Sequence, residues 1–403
     1  MSDPSDPSDR EKTSHVRPDY AGGSIVNLMT SILQAFDATP PPAAQYPPLA
    51  ALLPDKLDSR NVVLLVVDGL GHEHLTRSLP DGALTRHLAA RITSVFPSTT
   101  ATAITTFLTG EAPQQHGVTG WFTYFRELGG VLAVLPYRPR HGGSAPAVPA
   151  RTLLGHVPVF DRLRARSHVV VPRHIAYSDY NTAHNGSASV RPFTSLGQML
   201  DAVTQIVRAR GAPGERNYVY AYWPELDRLA HEHGVASREA AAQLARIDTA
   251  FDEFLHGIAG TDTTVVVTAD HGFVDADARQ LVDLDGAHRH IARMLRLPLC
   301  GERRAAYCYL EPGAGARFVD HVEERLGGLA EPRESRGLIE SGWFGLGTPH
   351  PRLPDRIGDY TLIMKDRATI KDWLLGEPRH TQIGVHGGTS PREMLVPLVV
   401  ARV

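Results

Sequence analysis

Short apolar runs alternate with helical segments along most of the chain, and this alternation restricts the possible folds more than any other feature. The run "NVVLLVV", which ends at Asp68, is apolar on both faces, as a strand buried inside a parallel sheet must be. Similar runs are "SHVVVP", "YVYAYW", "TTVVVTA" and, near the end of the chain, "EMLVPLVVARV". In the helical segment that follows "YVYAYW", Leu244, Ile247 and Phe251 form one apolar stripe. The pattern predicts an α/β fold with a central, mostly parallel sheet and helices on both faces.

Two stretches depart from this alternation. Residues 1–22 are polar and rich in proline at their start, which predicts a disordered tail, and the main domain is expected over residues 23–403. Ordered structure should begin with a helix capped by Ser24. Residues 275–380 are rich in Arg, Gly and Pro and have a strand–helix–strand pattern. We expect them to form a small α+β subdomain inserted like a cap.

Charge and composition exclude several classes of partner. The net charge is −3 and there is no dense run of Lys or Arg, so no nucleic acid polymer is expected as a partner. The start of the sequence lacks the pattern of a secretory signal, and no apolar run is long enough to cross a bilayer. We expect a soluble, cytoplasmic protein without a membrane partner. Cys300 and Cys308 flank "GERRAA", a plausible hairpin turn that would let them face each other, although two reduced thiols are expected in the cytosol.

Acidic and imidazole side chains stand just after the apolar runs, where ligands collect in open α/β sheets. Two of them form a D-x-x-x-H pair, two are adjacent, and one lies in "GVHGG". The six residues are Asp68, Asp227, His231, Asp270, His271 and His386. Three carboxylates and three imidazoles suit a pair of Zn²⁺ ions, with Mn²⁺ or another divalent cation as alternatives. Two neighbouring cations favour in-line displacement at phosphorus.

The stretch "SVFPSTTATAITTFLTG" supplies the hydroxyl groups that such a reaction needs. Pro97 should bend the chain, and "ATAITTFLTG" reads as a helix that is closed by Gly110. Ser98, Thr99 and Thr100 then lie at a helix N-terminus, which attracts a phosphoryl group. Ser98 and Thr99 are better explained as ordinary helix caps.

Taken in order, these motifs resemble the type I phosphodiesterase/nucleotide pyrophosphatase family of the alkaline phosphatase superfamily. The resemblance runs from about Asn61 to Val399, through "VVLLVVDGLG", "FPSTTATAITTFLTGEAPQQHGVTGW", "ELDRLAHEHG", "VVVTADHGF" and "GVHGGTSPREMLVPL". It implies an alkaline phosphatase-like fold and hydrolysis of a phosphodiester or pyrophosphate bond in a small phosphorylated substrate.

The resemblance also implies roles for individual residues. One zinc ion would be bound by Asp227, His231 and His386, and the other by Asp68, Thr100, Asp270 and His271. Thr100 would be the nucleophile and would carry the phosphothreonine intermediate, with Thr99 as the second choice.

The sequence departs from the family pattern at a position that bears on substrate preference, so the resemblance alone does not define the substrate. The family has an Asn shortly after the "HG" motif that supports a phosphate oxygen, and Trp121 stands at about that position here. An indole can donate only one hydrogen bond. Arg138 and Arg140, in "PYRPRHGG", are further candidates for substrate binding. The alternatives are a phosphonoacetate hydrolase-like C–P hydrolase, a phosphomonoesterase, or a metal-stabilised binding protein without activity, whereas the lack of a C/S-x-P-x-R motif disfavours a sulfatase.

Overall fold

Two seven-stranded sheets organise the protein in a computed structural model, which describes residues 15–38, 41, 46–377, 379 and 381–403. The strands in this part of the chain are β1 (Asn61–Val67), β2 (Leu88–Thr93), β3 (Phe122–Phe125), β4 (Gly130–Ala133), β5 (Arg138–Pro139), β6 (Arg166–Pro172), β7 (Ser189–Phe193), β8 (Asn217–Trp223), β9 (Thr263–Thr268), β10 (Val274–Asp275), β11 (Leu281–Asp283), β12 (Cys300–Gly301), β13 (Ala305–Cys308), β14 (Ala330–Glu334), β15 (Tyr360–Met364), β16 (Thr369–Lys371), β17 (Gly384–Val385) and β18 (Leu395–Arg402). The α-helices in the same residues are α1 (Ile25–Ala35), α2 (His72–Ser78), α3 (Ala83–Arg86), α4 (Thr100–Thr109), α5 (Pro113–His116), α6 (Ala150–Leu154), α7 (Asp179–His184), α8 (Leu196–Arg208), α9 (Glu225–His233), α10 (Arg238–Gly257), α11 (Arg289–Ala292), α12 (Gly315–Leu326), α13 (Ser335–Glu340), α14 (Leu353–Arg356) and α15 (Pro391–Met394).

The central sheet has the strand order β2-β18-β9-β1-β8-β6-β7. β1 pairs in parallel with β8 and β9, and β6 pairs in parallel with β7 and β8. The final strand, β18, runs antiparallel to both of its neighbours, β9 and β2. Every residue of β1, β8 and β9 is buried, as expected for strands covered by helices on both faces. The predicted α/β fold with a mostly parallel sheet is confirmed.

Helices form where the apolar spacing predicts them. The Ser24 side chain caps α1, and the side chain of Asn27 accepts a hydrogen bond from the Ser24 backbone N–H in return. In α10, Leu244, Ile247 and Phe251 are all buried, so the stripe faces the core. No helix in the described ranges has the length and apolar character needed to span a membrane.

The second sheet, called the cap sheet below, has the order β14-β15-β13-β12-β3-β4-β5. It differs from the predicted subdomain at 275–380, because three of its strands come from residues 122–139. The two parts join where Gly301 of β12 pairs antiparallel with Phe122 of β3. This pairing connects positions far apart in sequence, so no local pattern could indicate it.

The disordered tail predicted for residues 1–22 can be compared with the structure only from residue 15 onwards. Residues 1–14 lie outside the described part of the chain. Residues 15–22, which were also assigned to the tail, are packed on the rest of the molecule: the backbone N–H of Val16 donates to the Thr389 carbonyl at 2.8 Å, and Tyr20 is buried. These contacts join residues nearly a chain length apart, and composition alone does not indicate them.

Both cysteines are free and buried. Cys300 lies opposite Tyr307 in the β12–β13 hairpin, so the register does not place the two thiols face to face. The reduced state, favoured on grounds of compartment, is therefore also the one that fits the hairpin.

Candidate active site

Three neighbouring parallel strands, β9, β1 and β8, end at one edge of the central sheet, and polar side chains follow each of them. Asp68 directly follows β1, and Asp270 and His271 follow β9. Asp227 lies in the first turn of α9, just after β8, and His231 lies four residues further along the same helix. His386 follows β17. The carboxyl ends of parallel strands meet at one edge, which brings these residues together.

Asp227 lies at the centre of the three histidines. Its Oδ1 atom is 3.3 Å from Nε2 of His231, 3.8 Å from Nε2 of His386 and 3.9 Å from Nε2 of His271. The rings of His271 and His386 stack with centroids 3.6 Å apart. Asp227 therefore belongs to both clusters of potential cation ligands: one with His231 and His386, and one with Asp68 and His271.

His271 joins the remaining groups to the nucleophile candidate. Its Nε2 atom lies 3.4 Å from Oδ1 of Asp68, 3.4 Å from Oδ2 of Asp270 and 3.1 Å from Oγ1 of Thr100. All six predicted ligand-type side chains and Thr100 thus form one connected group.

Backbone carbonyls fix which ring nitrogen faces the cluster. Nδ1 of His231 is 2.8 Å from the Gly384 carbonyl oxygen, and Nδ1 of His271 is 3.1 Å from that of Gly272. A carbonyl only accepts hydrogen bonds, so each Nδ1 carries the proton and each Nε2 presents a lone pair to the cluster. The carboxylates are oriented as well: Oδ1 of Asp270 accepts from the backbone N–H of Gly69 at 3.0 Å.

The cluster is electrostatically incomplete without a cation. Oδ1 of Asp68, Oδ1 of Asp227 and Oδ2 of Asp270 are buried and receive no hydrogen bond. Buried acceptors face one another and the lone pairs of histidines, which is costly unless a positive charge lies between them. The donor set of carboxylate oxygens and imidazole nitrogens is the one that zinc and similar divalent cations prefer. The residues therefore fit a divalent metal centre.

The pKa values reflect this crowding of like groups. Burial, followed by the charges of Asp227 and Asp270, raises the pKa of Asp68 well above its usual value. Burial raises the pKa of Asp227 to about 7, with a further contribution from Asp270 and opposition from His271. Burial and the neighbouring His271 and His231 lower the pKa of His386 well below 6.5.

Thr100 is the first residue of α4, one residue before the predicted start at Ala101, and Thr99 is its N-cap. The helix closes at Gly110, whose φ of 74° is the left-handed conformation that a glycine cap adopts readily. The backbone N–H groups of Thr100 and Ala101 precede the first hydrogen bonds of α4, in which Thr102 and Ala103 donate to the Thr99 carbonyl. A cavity of about 830 Å³ opens beside them, lined by Asp68, Thr100, Asp227, His231 and His386.

The three predicted substrate contacts differ in position. Trp121 lines the cavity, but its backbone N–H is used by Glu302, at 2.6 Å. Arg140 also lines the cavity, yet its guanidinium is held by Asp372 at 2.7 Å and by Glu377 at 2.9 Å. Arg138 is exposed and does not line the cavity.

Two residues near the site were missed by the sequence analysis. Tyr222, in β8, donates a hydrogen bond from its hydroxyl to Asp68, and nothing in "YVYAYW" sets it apart from the other buried residues of the strand. Glu302 comes from the cap sheet and contacts Thr99, with the carboxylate 2.7 Å from Oγ1. It had no signal beyond its place in the "GERR" turn.

A family model for type I phosphodiesterase / nucleotide pyrophosphatase matches residues 62–389, and the chain belongs to this family. It is therefore a phosphoester hydrolase rather than a metal-stabilised binding protein. No protein with curated annotation matches the sequence.

Solved structures with the same fold are distant in sequence. Murine ectonucleotide pyrophosphatase / phosphodiesterase 5 is 15% identical with a TM-score of 0.62, covering 84% of this chain and 87% of that one. Its human counterpart is 14% identical with a TM-score of 0.63 and the same coverage. Phosphonoacetate hydrolase from Sinorhizobium meliloti, in complex with phosphonoformate, is 16% identical with a TM-score of 0.59, covering 85% of this chain and 90% of that one. An inactive variant of the murine enzyme has been solved in complex with AMP.

Proposed function

We propose that the protein is a two-metal phosphodiesterase or nucleotide pyrophosphatase that acts on a small phosphorylated substrate through a phosphothreonine at Thr100. The observation that carries the proposal is the position of Oγ1 of Thr100. It lies 3.1 Å from Nε2 of His271, at the start of α4, and beside a cluster of three carboxylates and three imidazoles.

The residues that would hold the cations follow from the geometry and from the family resemblance. One group is Asp227, His231 and His386, and the other is Asp68, Asp270 and His271 together with Thr100. Zn²⁺ is the expected metal, and Mn²⁺ is the main alternative. Bound divalent cations would lower the pKa of an oxygen nucleophile and offset the charge that develops on a leaving oxygen.

The chain itself supplies the nucleophile and a place for the phosphoryl group. Oγ1 of Thr100 gives up its proton to water and attacks phosphorus. As the new O–P bond forms, the bond from phosphorus to the leaving oxygen breaks on the opposite side, and that oxygen takes up a proton from water. Unpartnered N–H groups at the start of α4 donate to the phosphoryl oxygens. Water then hydrolyses the phosphothreonine and restores the hydroxyl. A cytoplasmic location, expected from the sequence, stays a prediction.

Replacing the nucleophile tests the proposal. Thr100→Ala should abolish turnover of an aryl phosphodiester while metal content and the unfolding transition stay close to those of the wild type. Thr102→Ala is the matched control, because Thr102 is buried in the same helix and does not line the cavity. A Thr100→Ala variant that keeps a substantial rate would rule out Thr100 as the nucleophile.

A C–P hydrolase acting on a phosphonate is the second candidate. It is favoured by Trp121, which stands where the family has a phosphate-binding Asn, and by the fold shared with phosphonoacetate hydrolase. Rates on a bis-aryl phosphodiester, an aryl monoester, a nucleotide and phosphonoacetate, measured side by side with added zinc, separate the candidates. A dominant rate on phosphonoacetate would replace the phosphodiesterase assignment.

A further inference from the structure

A turn of the cap sheet places an acidic side chain directly beside the nucleophile helix. The turn joins β12 to β13, and Glu302 extends from it into the cavity that Thr100 lines. One carboxylate oxygen of Glu302 accepts two hydrogen bonds, from Oγ1 of Thr99 at 2.7 Å and from the backbone N–H of Trp121 at 2.6 Å. Thr99 immediately precedes Thr100, and Glu302 and Thr100 line the same cavity, so a phosphoryl group on Thr100 would share that cavity with the carboxylate.

The turn is held rigidly in this position. Two residues after Glu302, the buried Arg304 forms an ion pair with the buried Glu393 at 2.9 Å. Glu393 in turn accepts from the backbone N–H of Gly388 at 2.8 Å, in the loop that carries His386. A side chain at Gly387 would place its Cβ 2.6 Å from Cβ of Glu302, so the loop and the turn are packed as closely as a glycine permits.

We propose that Glu302 is a specificity-determining residue that disfavours phosphoryl groups with two negative charges and so favours phosphodiesters over phosphomonoesters. The proposal rests on the function proposed above. A diester carries one negative charge and a monoester carries two at alkaline pH. The extra charge of the monoester would interact unfavourably with the Glu302 carboxylate inside a partly shielded cavity, where charge–charge energies exceed those in bulk water.

The surroundings of Glu302 are compatible with an ionised carboxylate. Its two donors, a hydroxyl and a backbone amide, are neutral groups that stabilise the charged form. Burial raises the pKa of Glu302 to about 7, opposed by these two hydrogen bonds and by Arg303, while Asp227 raises it further. At pH 8 and above the carboxylate is mostly ionised.

The test compares two substrates that share a leaving group, bis(p-nitrophenyl) phosphate and p-nitrophenyl phosphate, at pH 8.5 with zinc bound. Glu302→Gln removes the charge and keeps the shape and an acceptor oxygen for the two hydrogen bonds. We expect the ratio of monoester to diester kcat/KM to rise by about tenfold or more, the effect of removing one unfavourable charge–charge interaction from the cavity. Competitive inhibition by inorganic phosphate should strengthen by a similar factor, whereas inhibition by dimethyl phosphate should change little.

Two control variants separate the effect of the Glu302 charge from an effect of Glu302 on the position of Thr99. Glu225→Gln removes a cavity-lining carboxylate that is paired with Arg228 at 2.6 Å, and it should leave the ratio unchanged. Thr99→Val removes one hydrogen bond to Glu302 and keeps the charge, so both rates should fall together without a shift in the ratio.

The outcome also distinguishes this proposal from the proposed function. If the wild type hydrolyses the diester through Thr100 but Glu302→Gln leaves the ratio and the phosphate inhibition as they were, Glu302 is not a charge-selective residue and only this inference fails. An equal loss of both activities in Glu302→Gln would mean that Glu302 only positions Thr99, and would also overturn it. A wild type without diesterase activity would refute the proposed function itself.

Discussion

Two groups of three histidines each place one ring against α4, and the surroundings of the two groups differ. His271, with His231 and His386, lies at the start of α4, where Oγ1 of Thr100 is 3.1 Å from Nε2 of His271. The second group is His116, His156 and His184, and Oγ1 of Thr106 is 3.3 Å from Nε2 of His116. We call the first the acidic cluster and the second the core cluster.

The difference lies in the partners of the rings. The acidic cluster contains three carboxylates and opens onto the cavity. In the core cluster, Nδ1 of His156 is 2.9 Å from Nε2 of His184, and the described polar partners of the two rings are otherwise backbone carbonyls. Burial, as the main cause, lowers the pKa of all three core histidines, and no carboxylate offsets it. The carboxylates of the acidic cluster can offset the charge of a bound cation, whereas the rings of the core cluster are buried and have no carboxylate among their described partners.

The largest loss of activity is expected from neutralising Asp227, the carboxylate that belongs to both groups of potential cation ligands. Asp227→Asn keeps the side-chain volume but takes a negative charge from the centre of three histidines. We expect kcat/KM for the phosphodiester to fall by roughly a thousandfold or more, because cation binding at both groups is impaired. Glu232→Gln, on the exposed side of the same helix, is the control. A rate within a few-fold of the wild type for Asp227→Asn would contradict the cation-binding role of the acidic cluster.

Metal binding should stabilise the protein through the acidic cluster alone. With free Zn²⁺ at a thousand times its Kd, the free energy of unfolding should increase by about 4 kcal/mol. Urea unfolding with and without zinc measures this increase. Asp227→Asn should lose most of it, and His184→Gln should retain it despite a lower baseline stability. A zinc effect that depends on His184 instead would reverse the assignment of the two clusters.

The sequence distinguishes the two clusters because residues of the acidic cluster stand directly after strands of the central sheet. The core histidines do not. Asp68 follows β1, and Asp270 and His271 follow β9; both strands are buried at every position, and neighbouring parallel strands bring such ends together. The convergence of these side chains is therefore predictable, although their role as ligands stays a proposal.

Other parts of the site depend on contacts that leave no local signal. The cap sheet joins residues 122–139 to residues 300–364, and Glu302 approaches Thr99 across 203 positions. Arg140, in "PYRPRHGG", was a candidate substrate contact. Its guanidinium instead forms ion pairs with Asp372 and Glu377, which are distant in sequence. Charge type can be read from the sequence, but the partner that satisfies the charge cannot.

Acid should destabilise the protein through the core cluster. Burial lowers the pKa of His184 to about 4 in the folded state, against 6.5 when unfolded. The unfolded state therefore binds more protons between these values, and stability falls as pH decreases from 6.5 to 4. The contribution of His184 is about 3 kcal/mol over this window. Urea unfolding at a series of pH values, with zinc removed, measures the slope. His184→Gln should flatten the slope, and an unchanged slope would mean that His184 is not neutral in the folded protein.

The smallest effect distinguishes Thr106 from Thr100, two of the five threonines of α4. Thr106→Val is nearly isosteric and removes the hydrogen bond to His116, so unfolding should become easier by about 1 kcal/mol, the usual size of one such bond. Activity per folded molecule should not change, because Thr106 does not line the cavity. Thr100→Val should do the opposite: activity should disappear, while stability in the absence of metal changes little, since its hydroxyl faces the cavity. Urea unfolding and diesterase rates on both variants complete the comparison. If Thr106→Val lowered the rate per folded molecule as strongly as Thr100→Val does, Thr106 would also be needed for activity. The assignment of the acidic cluster to catalysis and of the core cluster to packing would then be wrong.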